Sequence, residues 1–68
     1  MNLVETLRTY FEYLGNIKHA ASALYIHRNT MLYRMDKIMS ILDMDLHHAK
    51  DNLKLQIALY IRQIMNKK

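Results

Sequence analysis

The stretch "GNIKHAASALYIHRNTMLYRM", residues 15–35, decides the fold. Its apolar spacing is helical as far as Leu24, breaks over Tyr25, Ile26 and His27, and resumes at Met31 and Met35. Neither Gly nor Pro marks the break. Ala20 and Ala21 supply the small side chains that let two helices cross closely, and Ile26 is an aliphatic plug for the corner between them. Met31 and Met35 close the angle from the other side. Such a pattern predicts a helix-turn-helix, in which the later helix enters the major groove of DNA. It also requires Tyr25 to take a left-handed conformation, which is uncommon for a bulky residue.

Outward from this break, the chain reads as four helical segments. Leu3, Leu7, Tyr10, Phe11 and Leu14 form an apolar stripe at steps of three and four, and Gly15 is placed to end that helix in a left-handed residue. Asn16 is then the N-cap of a short second helix with Ile17, Ala20, Ala21 and Leu24 inward. The third helix is expected from His27 or Arg28 to about Leu42, with Met31, Met35, Ile38 and Leu42 buried and Asp43 as a left-handed cap. After the loop "DMDLHHAK", a fourth helix is expected from about Asp51 with Leu53, Ile57, Tyr60, Ile61 and Ile64 as its core face. Leu55 and Leu59 would lie opposite, as an exposed dimer or docking face. The fold class is all-α: four helices, the second and third forming the helix-turn-helix and the first and fourth bracing it.

Sixty-eight residues make one domain, and a chain this short buries only about 60% of its unfolded surface. It is 51% hydrophobic, with one Gly, no Pro and no Cys, so disulfides and thiolate metal sites are excluded. No apolar run approaches the roughly 18 residues that span a bilayer, and no signal peptide opens the sequence. A cytoplasmic setting without membrane partners is expected. The formal net charge is +4 and the pI about 9.6, which suits a polyanionic partner. Placement says more than the sum: from Asn16 to Tyr33 there are Lys18, His19, His27 and Arg28 but no carboxylate.

With Met31 and Met35 inward, Asn29, Tyr33 and Asp36 face outward, flanked by Thr30 and Lys37. Arg pairs bidentately with guanine and Asn with adenine, so Arg28 and Asn29 lead the base-contact candidates, joined by Leu32 and Tyr33. Asn16, Lys18, His19, His27, Thr30, Arg34 and Lys37 are the phosphate candidates. For Tyr33, partial burial against the second helix is the competing expectation. His47 and His48 are adjacent and lack the spacing of a helical metal pair, while Asp43 and Asp45 lack the Gly and terminal Glu of a calcium loop. No nucleophile with its base, carboxylate pair or phosphate-binding Gly loop appears, so neither enzyme activity, cofactor nor metal is expected.

"GNIKHAASALYIHRNTMLYRMDKI", followed by "LDMDL" and "NLKLQIALYI", closely resembles the C-terminal helix-turn-helix of PucR-type bacterial regulators, with "HRNT" before Tyr33 and Arg34 as the most specific element. The "GN…AA" turn region is more distantly similar to the DNA-binding end of Fis. Leu32 and Asp36 depart from the family pattern, where basic residues are common, as do Asp43 (usually Gly) and Ala49 (often Pro). The resemblance implies duplex DNA as partner. It further implies a place at the C-terminus of a longer regulator with an upstream sensory domain, working as a homodimer or higher oligomer. The alternative is a helical protein–protein module that does not read DNA.

Overall fold

The computed structural model describes residues 2–66. It contains α1 (Leu3–Glu12), α2 (Ile17–Ala23), α3 (Arg28–Leu42) and α4 (Ala49–Met65), and among the described residues no strand. The start and end of α3 are those the spacing predicts, and α4 begins two residues early.

Three helix ends close by one device. After α2, the Ile26 N–H donates to the Ala21 carbonyl at 3.0 Å and the Tyr25 N–H to that of Ser22 at 3.1 Å. This is the Schellman arrangement, which satisfies the last carbonyls when one residue turns left-handed. Tyr25 is that residue, at φ 58°, and backbone closure makes the break that Gly or Pro would otherwise signal. The same pair of bonds ends α3, with Asp43 at φ 52°, and α1, where the Gly15 N–H reaches Tyr10 at 2.8 Å. At the end of α1 the left-handed position expected of Gly15 is held by Leu14, at φ 54°, and Gly15 follows with φ 79°. Leu14 is consequently 94% exposed and leaves the apolar stripe assigned to it. A Cβ on Gly15 would sit 3.3 Å from the Tyr10 hydroxyl, so both space and backbone favour Gly there.

The core gathers Leu7, Ala20, Ala21, Met31, Met35, Ile38 and Leu46. Ala20 and Ala21 are fully or almost fully buried, and α2 packs more closely on α3 than any other helix pair does. Thr6, the one buried polar residue among those described, donates its hydroxyl to the Asn2 carbonyl at 2.8 Å. Two features differ from expectation. Leu42 is exposed; the core is completed instead by half-buried Met39 and by Leu46 from the loop, whose N–H points at the Met39 sulfur.

The second difference is the rotation of α4. Leu55 and Leu59 pack against the core, while Leu53, Ile57, Tyr60, Ile61 and Ile64 are exposed. The expected docking face is therefore the inner one. The first turn of α4 sets the rotation: the Asp51 carboxylate accepts from the Asp45 N–H at 3.0 Å, and the Asn52 amide donates to the Leu46 carbonyl at 3.1 Å. With Leu46 buried and bonded to Asn52, Leu55 and Leu59 share the side turned to the core.

Candidate nucleic-acid interface

The geometry of the head begins with its caps. The Asn16 side chain accepts from the His19 N–H at 3.0 Å and starts α2. His27 does the same for α3: its Nδ1 accepts from the Asn29 N–H at 3.0 Å. A ring nitrogen that accepts carries no proton, so in the neutral imidazole Nε2 bears the hydrogen and presents it outward. His27, expected only as a phosphate contact, is thus first a structural cap. The signal available in the sequence was its place directly before Arg28; His is not among the strongly preferred N-caps.

Beyond the cap, Arg28, Asn29, Thr30, Leu32, Tyr33, Asp36 and Lys37 are all exposed, because Met31, Met35 and Ile38 take the inner side. Tyr33 is 62% exposed. The Lys37 ammonium lies 3.4 Å from the Tyr33 hydroxyl and 5.6 Å from the ring centroid, one turn apart on the same face. These two side chains form a unit. Arg34 is half-buried at the edge of the inner stripe. On α2, Lys18 and His19 are exposed beside the Asn16 cap.

Electrostatically the face is unbalanced. Among the described residues, the only basic and acidic side chains within ion-pair distance are His48 and Asp45, 3.4 Å apart in the loop before α4, a contact that is an ion pair only with the imidazole protonated. No carboxylate in the described structure neutralises Lys18, Arg28, Arg34 or Lys37. Asp36 is the single acid on the outward face of α3. Asp43 and Asp45 are occupied as helix end and loop cap, the latter accepting from the His47 N–H at 2.9 Å. The described residues contain no group of three His, Cys, Asp or Glu suited to a metal ion, and no helix long and apolar enough to cross a membrane.

Two short helices packed on one another, the second capped, cationic and exposed, define the class: a DNA-binding helix-turn-helix domain. The model of the PucR C-terminal helix-turn-helix domain matches residues 3–61, and the chain belongs to that family. It is 32% identical over 65 residues to the purine catabolism regulatory protein of Bacillus subtilis, covering 96% of this chain and 12% of that protein. Similar matches are the DNA-binding transcriptional activator AdeR of B. subtilis (32% over 63 residues, 93% of this chain and 15% of that protein) and the carbohydrate diacid regulator of Escherichia coli (36% over 59 residues, 87% and 15%). The chain thus spans less than a sixth of each of these relatives. No solved structure matches it significantly.

Proposed function

We propose that α3 reads duplex DNA from the major groove as the output domain of a longer, cytoplasmic bacterial regulator. The observation that carries this reading is the exposed start of α3, where His27 fixes the first turn and no carboxylate among the described residues neutralises Arg28. Arg28 and Asn29 take base edges, with Leu32 and Tyr33 beside them. Asn16, Lys18, His19, His27 through Nε2, Thr30, Arg34 and the Lys37–Tyr33 unit take phosphates and set the register. Two of the named relatives are regulators of purine catabolism and of carbohydrate diacids and the third is named a DNA-binding transcriptional activator, which supports regulation through DNA rather than a particular effector. An upstream sensory domain supplies the effector response. One head of this size makes too few contacts for specific binding at physiological salt, so the regulator works as a dimer or higher oligomer on half-sites about 34 Å apart, or a multiple of that.

Selection from random duplexes followed by a salt titration tests the proposal. Enriched sites with a repeated half-site, bound with an affinity that falls steeply with salt, are expected, since each phosphate contact contributes about 0.9 to the slope of log affinity against log salt. Failure to enrich any sequence, or an affinity insensitive to salt, contradicts it.

A further inference from the structure

We infer that the exposed strip of α4 is a pairing seam for a second copy of this chain, two α4 helices crossing antiparallel about a two-fold axis. Leu53, Ile57, Tyr60 and Ile64 are 50–66% exposed, and Ile61 is 49% exposed beside them. Their steps of four, three and four are those of a coiled-coil seam, and a left-handed pairing keeps such a stripe facing its partner. The spacing also reads identically in both directions. An isologous interface must be its own complement, and this sequence of steps meets that condition: Leu53 of one helix falls opposite Ile64 of the other, and Ile57 opposite Tyr60.

The flanks agree with a like partner. On one side of the seam stand Gln56 and Gln63, neutral side chains that border the cleft to α1, where the Gln56 amide donates to the Asn52 side chain at 2.6 Å, so that flank brings no like charges to a second copy. On the other stand Lys54 and Ile61, so the lysine stem of one copy lies over the isoleucine of the other and no like charges are forced together. Antiparallel crossing also sets each helix dipole against the opposite end of its neighbour.

Magnitudes fit a reversible dimer. The five side chains present on the order of 600 Å² per copy, so a pair buries roughly 1,200 Å², the lower edge of stable specific interfaces. A patch of that size is already at the upper end for a monomer. Among the described residues α4 is thinly held: none of its 17 residues is fully buried, and the only described helix it packs on closely is α1.

Sedimentation equilibrium of the chain without DNA, from about 10 μM to 1 mM, spans the range expected of so small an interface. A monomer–dimer equilibrium is expected for the parent. Ile57→Lys should be monomeric throughout with its helical circular dichroism intact, and Ile57→Ala, which keeps the seam uncharged, should weaken the dimer at least tenfold. Orientation is read by disulfide capture, which the absence of native cysteines makes clean. A mixture of Leu53→Cys and Ile64→Cys should cross-link between the two variants and not within either alone. A parent that stays monomeric to the highest concentration, an Ile57→Lys variant that still pairs, or self-cross-linking of each single variant overturns the inference. Because DNA is absent from every arm, such failure leaves the duplex reading of α3 untouched.

Discussion

Tyr25 sits in a left-handed conformation with its side chain 96% exposed, so its phenol gains little from the core while its backbone bears the strain. A non-Gly residue in this region costs roughly 1–2 kcal/mol, part of which Gly returns as unfolded-state entropy. Tyr25→Gly should therefore stabilise the chain by about 0.5–1 kcal/mol. A thermal melt decides it, and a lower melting temperature would show that the ring stabilises the turn. His27 presents a different balance. Removing its cap with His27→Ala should cost about 1 kcal/mol, whereas His27→Asn, a better capping type, should hold or raise stability. Duplex affinity then separates its two roles: an Asn variant that folds normally yet binds more weakly assigns the Nε2 edge to DNA. If the Ala variant melts with the parent, the Nδ1 bond is not supporting α3.

At the scale of elements, the turn between α2 and α3 was legible and the rotation of α4 was not, for a physical reason. The Schellman closure involves residues 21–26 alone, so Ala21, Tyr25 and Ile26 state it within one short stretch. The outward face of α3 follows equally directly once Met31 and Met35 are turned in. On α4, both stripes are apolar and helically spaced, and periodicity alone favours the richer one as the core. The choice between them is made by Leu46 and by the Asp45–Asp51 and Leu46–Asn52 bonds, contacts between a loop and a helix that periodicity does not contain. The cap role of His27 was missed because its residue type carries little capping signal, and the Lys37–Tyr33 contact because only its spacing of four is local. The rotation gives an expected contrast. Leu59→Ala should cost about 1–2 kcal/mol, less than a fully buried leucine because the site is half-buried, and Ile57→Ala under about 0.5 kcal/mol in dilute solution. Urea unfolding of both variants is the check; a larger loss for Ile57→Ala would restore the opposite rotation.

Over the whole molecule, a core of seven apolar side chains holds three helices together and α4 leans on them through Leu55 and Leu59, the described chain having a radius of gyration of 11.8 Å. The scaffold is small, and its charge is distributed by function rather than evenly. Acids occupy α1, the loop before α4 and, as Asp51, the first turn of α4, with Asp36 alone on the reading face, while the start of α3 and the α2 side chains Lys18 and His19 remain cationic or polar. Arg28 is the residue on which this arrangement converges, at the end of a helix that meets the groove by its N-terminus. The decisive measurement is the affinity of parent and Arg28→Ala for a selected site and a scrambled duplex at two salt concentrations. Arg28→Ala removes no core volume, so it should melt with the parent, lose about 1–3 kcal/mol on the selected site and relax the preference at one base position, while changing scrambled binding far less. If it binds both duplexes as the parent does, α3 is not the reading head.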